Sequence, residues 1–353
     1  MIKLTDKDKT VFYSIIRWPH LNDTELSKKT NIKRSTITAI RNKLEKNKLY
    51  TTTKAPDLER LGCELLTVRY GGFNPLASYK VREKYTSTQK FPEVFFKRST
   101  DRQRMALSAA ENFTEVKKYI DYSNRVYGEH DFLTDEGIIH VFFPYKVSRI
   151  FRFFDYAPLL RQHFNLDFGG EQEVVDTNFL EKEKAELSEN EKQVLYALVK
   201  YPQQNDNKVA RKVSMTRQSV SAIRKKLEKE GFVKRINIPN LEALDFQILA
   251  LTHIMVNPKS TLVTRKHGVQ EVLNQGVHIF YISSNLEFVL ISAYKDYPEY
   301  NKEYDRIISY YKEHDLLLKD PVTKIFITSD LRLSVDGRFA LLVKKIMGIK
   351  AEV

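Results

Sequence analysis

The chain contains itself twice. Residues 4–75 align with residues 187–258 without a gap, at a constant offset of 183 (187 − 4), and about a third of the paired positions are identical. The longest shared stretch reads Ala39-Ile40-Arg41-x-Lys43-Leu44-Glu45-Lys46 against Ala222-Ile223-Arg224-x-Lys226-Leu227-Glu228-Lys229. Solenoid repeats run roughly 20 to 50 residues, so a match of this length is a duplication of whole domains. Whatever the first copy folds into, the second must fold into as well. A chain of 353 residues has room for roughly two to four such domains.

Hydrophobic residues make up 42% of the chain and aromatics 12%, enough to build packed cores and to exclude a disordered polymer. Cys63 is the single cysteine and its counterpart in the second copy is Phe246, so it reads as a small core residue. No disulfide framework or cysteine-based zinc site can form within one chain. The segment Met1-Ile2-Lys3-Leu4-Thr5-Asp6-Lys7-Asp8-Lys9 has no apolar run, and nothing later approaches the roughly 18 apolar residues of a membrane span. The expectation is an intracellular, cytoplasmic protein.

The net charge of +13 becomes informative once it is located. Residues 1–56 hold 13 Lys/Arg against 5 Asp/Glu, and residues 187–239 hold 12 against 5. These balances of +8 and +7 together exceed the total, so the remainder of the chain is near −2. A basic excess confined to the two repeated segments points to a polyanion bound by them.

In copy one, Leu4, Val11, Ile15 and Ile16 form an apolar helical stripe closed by Pro19, and Asn22-Asp23-Thr24 supplies a cap for a second helix over 25–30. A third helix is predicted over 34–46. Copy two repeats the plan with helices over 187–200, 208–212 and 217–229. Two short helices around a tight turn let the last one protrude into a major groove, the helix-turn-helix arrangement. The β-rich segments that follow, 49–53 and 232–236, read as the wing of a winged helix.

At 100° per residue, Ile37, Ile40 and Leu44 share one sector of the third helix, as do Val220, Ile223 and Leu227, so these face the core. The opposite sector holds Ser35, Thr38, Ala39, Asn42 and Lys46 in copy one, and Gln218, Ser221, Ala222, Lys225 and Lys229 in copy two. Small residues at its centre permit close approach to base edges. Asn42 or Gln218 suits an adenine and Lys225 a guanine. Arg34, Arg41, Arg217 and Arg224 lie at the flanks and suit phosphates. Lys33 and Thr216 at the helix starts, with Lys54, Lys234 and Arg235 in the β-rich segments, complete the expected DNA contacts. The outward faces differ, Ser35 and Asn42 against Gln218 and Lys225, so one chain would read two unlike half-sites. A homodimer would restore symmetry to the whole operator.

The regions after each module also match, now at an offset of 184. Each predicts a strand (65–73; 248–256), a helix (77–85; 262–274), two strands (93–98 and 104–109; 278–283 and 287–293), a long helix (114–127; 299–313) and a last strand (137–143; 322–328). This βαββαβ order is the ferredoxin-like plan. The expected fold class is therefore α+β, with two winged helix-turn-helix domains (1–60 and 187–240) and two ferredoxin-like domains (61–166 and 241–353). A linker spans 167–186, marked by Asp167-Phe168-Gly169-Gly170-Glu171-Gln172-Glu173. The aromatic-rich segment Phe151, Phe153, Phe154, Tyr156, Leu159 and Leu160, and its counterpart over 338–348, read as core or interface packing.

In Leu227-Glu228-Lys229-Glu230-Gly231-Phe232-Val233 and Ile238-Pro239-Asn240-Leu241-Glu242-Ala243-Leu244-Asp245, the chain resembles the leucine-responsive (Lrp/AsnC, feast/famine) regulators. Copy one keeps these stretches loosely, as 44–50 and 55–58. The resemblance implies a transcriptional regulator in which a winged helix precedes a ferredoxin-like domain whose sheets pair across protomers. In that family the loop between the second and third strands typically carries Gly-x-Tyr/Phe-Asp near an amino-acid effector. Here Ser99-Thr100-Asp101-Arg102-Gln103 and Ser283-Ser284-Asn285-Leu286-Glu287 lack any glycine, which makes a small-molecule effector doubtful. The order Ile-Arg at 40–41 and 223–224 is closer to other winged-helix families.

Glu129-His130-Asp131 and Glu313-His314-Asp315 place histidine beside carboxylates, but consecutive helical residues point apart, and a histidine suits a helix C-terminus. No phosphate loop, dinucleotide fingerprint, metalloprotease helix or nucleophile elbow is present. The expectation is a sequence-specific double-stranded DNA-binding regulator that is not an enzyme, with no catalytic residue, cofactor or metal. The alternatives are a winged-helix adaptor binding protein, an architectural DNA-binding protein, and more remotely a nucleic-acid-modifying enzyme.

Overall fold

The computed structural model describes residues 3–86, 91–167, 182–184 and 186–350, so most of the expected linker over 167–186 lies outside the described residues. The first copy runs α1 (Asp6–Arg17), α2 (Asp23–Thr30), α3 (Arg34–Lys46), β1 (Tyr50–Pro56), β2 (Leu65–Phe73), α4 (Tyr79–Thr86), β3 (Val94–Ser99), β4 (Gln103–Ala110), α5 (Phe113–Glu129), β5 (Leu133–Pro144), β6 (Ser148–Phe153) and α6 (Ala157–His163). The second runs α7 (Glu189–Lys200), α8 (Asp206–Lys212), α9 (Arg217–Lys229), β7 (Val233–Pro239), β8 (Ile248–Met255), α10 (Leu262–Leu273), β9 (His278–Ser284), β10 (Glu287–Tyr294), α11 (Tyr297–Glu313), β11 (Val322–Ile327), β12 (Leu333–Val335) and α12 (Ala340–Ile346). The element order expected for each half is present, in an α+β fold.

The helix starts follow from their caps. Thr5 with Asp8, Asn22 with Glu25, and Ser188 with Glu191 form reciprocal capping boxes that satisfy the first N–H groups of α1, α2 and α7. Asn31 at φ 55° and its counterpart Ser214 at φ 53° take the left-handed conformation that turns the chain between the last two helices of each module.

The chain divides into two compact units, each drawn from both copies. One comprises Met1–Thr51, Val147–Phe179 and Ile236–Asp330; the other comprises Thr52–Lys146, Leu180–Arg235 and Leu331–Val353. Each unit therefore combines the helix-turn-helix of one copy with the sheet of the other.

In the first unit the sheet order is β11-β8-β10-β9-β6, all antiparallel, and the edge strand β6 comes from the first copy. Arg152 on β6 fastens this exchange: its Nη atoms donate to the backbone carbonyls of Leu273 (2.6 Å), Gln275 (2.7 Å) and His278 (3.0 Å). Ile254, Val272, Tyr281, Phe288, Leu290, Ile307 and Tyr311 pack the space between the sheet and helices α10 and α11. Phe12 of α1 meets Phe164 just after α6, with ring centroids 6.2 Å apart.

In the second unit the order is β12-β3-β4-β2-β5, and here the edge strand β12 comes from the second copy. Phe339 stacks on Phe95 at 4.9 Å and α12 packs against α7. The two exchanges are reciprocal, since β6 and β12 occupy the same place in their sheets.

β1 and β7 pair with each other in a two-stranded sheet. The Asn240 N–H donates to the Leu49 carbonyl (2.8 Å) and the Asp57 N–H donates to the Phe232 carbonyl (2.9 Å). Each segment satisfies its backbone with a strand about 180 residues away rather than folding back as a local hairpin.

Candidate nucleic-acid interface

In the first unit α3 packs Ile37, Ile40 and Leu44 into a core with Val11, Phe12, Ile15 and Leu26. Its outer face leaves Lys33, Arg34, Ser35, Ala39, Asn42 and Lys46 exposed. Thr38 is half-buried, and its hydroxyl donates to Asp23 Oδ2 at 2.6 Å. Arg41 is also half-buried, with Nε donating to Asp23 Oδ1 at 2.7 Å. Burial pulls the Asp23 carboxyl up, but the bonds from Thr38 and Arg41 prevail and hold it below the ordinary aspartate value. Lys43 reaches Asp8 at 2.7 Å and ties α3 to α1.

The second unit repeats this scaffold. Val220 and Leu227 are buried, while Arg217, Gln218, Ala222, Lys225 and Lys229 are exposed and Ser221 is half-exposed. Arg224 donates from Nη2 to Asp206 Oδ2 at 3.1 Å, with its Nε 2.9 Å from Oδ1. Lys226 pairs with Glu191 at 2.6 Å. Thr216 caps α9 by accepting from the Ser219 N–H at 3.1 Å.

Arg41 and Arg224 are thus engaged within their own modules, whereas Arg34 and Arg217 project freely from the first turns. Asp23 and Asp206, the partners that orient the flanking arginines, were not singled out from the sequence. The signal was there in the identity of Asn22-Asp23 with Asn205-Asp206 across the copies.

Lys234 is exposed and Arg235 half-buried. Lys54 is corrected: it is 6% exposed, and its ammonium reaches Glu228 at 3.2 Å, so it is part of the interior. Burial lowers its pKa despite Glu228. The expectation failed because Lys54 lies on a paired, covered strand.

The histidine triplets are held as helix ends. His314 Nδ1 lies 2.8 Å from the Tyr310 carbonyl and its ring stacks on Tyr310, while Asn257 and Asn74 donate to the carboxylates of Asp315 (3.0 Å) and Asp131 (3.1 Å). Cys63 is buried, which pushes its thiol pKa up. Among the described residues no helix is long and apolar enough to cross a membrane.

The first unit also holds a cavity of about 420 Å³ between its sheet and helices. Phe151, Tyr281, Phe288 and Tyr311 form its aromatic lining, and Arg149 and Lys266 bring positive charge.

Residues 182–245, which hold α7, α8, α9 and β7, match the family model described as TrmB, "Sugar-specific transcriptional regulator TrmB". Over the whole chain the fold is similar to the crystal structure of the siroheme decarboxylase NirDL, at 12% identity and a TM-score of 0.52, covering 98% of this chain and 99% of that one. The likeness is one of fold. The same figures hold for NirDL in complex with an iron-uroporphyrin III analogue. Lrp/AsnC-type regulators are also among the structural neighbours. One is an AsnC family transcriptional regulator from Agrobacterium tumefaciens, at 14% identity and a TM-score of 0.34, covering 40% of this chain and 95% of that one. No curated protein matches the chain.

The NirDL likeness corrects the expectation that the chain is not an enzyme. That expectation rested on missing catalytic signatures, and a fold spanning the entire chain belongs to a decarboxylase. Missing signatures therefore exclude no activity here.

Proposed function

We propose that the chain is a transcriptional regulator that binds double-stranded DNA by sequence, reading the major groove with two unlike recognition helices, α3 and α9. The observation that carries this reading is the outer face of each helix. A small residue, Ala39 or Ala222, lies at its centre, polar or basic groups flank it, and an arginine projects from the first turn. The concentration of positive charge in the two modules supports it, as does the regulator model matched by 182–245. The work is cytoplasmic, and a second chain would add symmetry to the operator. Replacing Arg34 and Arg217 by Ala should lower the salt slope of DNA affinity by about one per lost phosphate contact. An unchanged slope would count against this reading.

A second reading is favoured by the 420 Å³ cavity of the first unit. Its aromatic walls and cationic rim suit a planar, apolar molecule that carries carboxylates. The full-length fold is shared with an enzyme that acts on siroheme. Titrating the full chain with iron-uroporphyrin III should change the absorbance of the pigment, less so in Lys266→Glu. An absorbance identical to that of the free pigment would remove this reading.

A further inference from the structure

The second unit places an ionisable row inside its sheet. Cross-strand register sets His140 (β5) beside Arg69 (β2), Arg69 beside Ala106 (β4), and Ala106 beside Lys97 (β3). Arg69 is 6% exposed and Lys97 3%. Arg104, 7% exposed, lines the same cavity of about 30 Å³, room for one or two water-sized groups.

Among the described residues, the cations Arg69, Lys97 and Arg104 line this cavity with one carboxylate hydrogen-bonded to them, Glu83, while Glu93 acts on Arg69 only through space. Glu83 is a carboxylate within reach, accepting from Lys97 at 2.8 Å and lying 3.3 Å from Arg104. Arg104 also donates to the Tyr127 hydroxyl at 2.8 Å. Arg69 makes no hydrogen bond or ion pair among the described residues. Its guanidinium lies 4.0 Å over the Tyr119 ring, and its buried Nε has no acceptor. Among the described residues, both ring nitrogens of His140 are buried without hydrogen-bond partners. Burial pulls the pKa of Arg69 down to about 9, and burial with Arg69 nearby pulls that of His140 to about 4. A buried cation with no hydrogen-bonded counter-charge is costly for a fold to retain.

The second copy shows that the fold does not need this row. Register places Thr323, Thr252, Leu290 and Tyr281 in the same order across β11, β8, β10 and β9. His140 and Arg69 become two threonines whose hydroxyls face each other at 3.3 Å, Lys97 becomes Tyr281, and Leu290 fills the space that Ala106 leaves open. One sequence thus builds the same sheet with a neutral row and with a cationic one.

We propose that this cavity receives two oxygens of a small oxyanion, from the carboxylate or phosphate group of a ligand, held by Arg69 with His140 beside it. The anion supplies the missing charge and accepts the unpartnered donors.

The test uses the dialysed full chain, with thermal unfolding and calorimetry in sodium acetate, sodium phosphate or sodium chloride at matched ionic strength. Acetate or phosphate should raise the midpoint saturably where chloride does not. A response to acetate alone assigns a carboxylate, and a response to phosphate alone assigns a phosphate group. Arg69→Gln should weaken the response at least tenfold, yet unfold at a higher temperature than the parent chain without anion. Thr252→Val, at the equivalent place in the other copy, should respond like the parent. Absence of a saturable response to both anions, or an equal response in Arg69→Gln, would overturn the proposal. So would a lower midpoint for the anion-free Arg69→Gln chain, which would make Arg69 a structural residue.

Discussion

The Arg41 guanidinium donates to the Asp23 carboxylate at 2.7 Å, joining the first residue of α2 to the flank of α3 across 18 positions of sequence. Arg224 and Asp206 repeat the pair at the same separation. These arginines hold the last helix against the one before it. Arg34 and Arg217, in the first turns of the same helices, are exposed and make no hydrogen bond among the described residues.

Asp23→Asn should cost about 1.5–3 kcal/mol in the first module, the range for hydrogen bonds to charged groups. Because the Asp23 carboxyl sits below its ordinary value, the stabilisation is fully present above about pH 4 and is lost as pH falls through the lowered value. Denaturation of parent and variant at pH 7 and pH 3 should show the gap closing at the acid end.

Lys54→Met should leave DNA affinity and its salt dependence unchanged, because the ammonium is enclosed beside Glu228. Its effect on stability should be about 1 kcal/mol or less, since the partner left behind, Glu228, is 38% exposed and water can take over its charge. Parallel binding and chemical-unfolding curves would check both halves of this statement.

Arg152→Met should be the most damaging of these changes. It leaves the carbonyls of Leu273, Gln275 and His278 without their shared donor and frees the exchanged edge strand β6. A loss of about 3 kcal/mol or more is expected in thermal or denaturant unfolding.

Replacing Gln218 by Ser, Ser221 by Thr and Lys225 by Asn gives α9 the outward residues of α3. The two preferred half-sites, read by selection from random duplexes, should become alike while overall affinity falls less than tenfold.

Much of this was legible in the sequence because the signals are local. The stripe Ile37, Ile40, Leu44 and the caps Asn22 and Ser188 fixed the helices, and the duplication carried each assignment to its counterpart. The edge strands β6 and β12 were hidden, because each pairs with a strand more than 120 residues away and no periodicity encodes a distant partner. The β-rich segments after α3 and α9 were recognised as strands, but their pairing with each other across about 180 residues was hidden for the same reason, and with it the burial of Lys54. The buried row was visible only as Arg69 and Lys97 within otherwise apolar strands. Charged residues in such strands usually face solvent; register alone brought these together.

The most direct test of two-helix readout is selection of bound duplexes from a random DNA pool by the full chain, followed by sequencing. The account predicts enrichment of two unlike half-sites, one altered by changes at Ser35 and Asn42 and the other by changes at Gln218 and Lys225. Retention with no enriched sequence, or no retention at low salt, would contradict it.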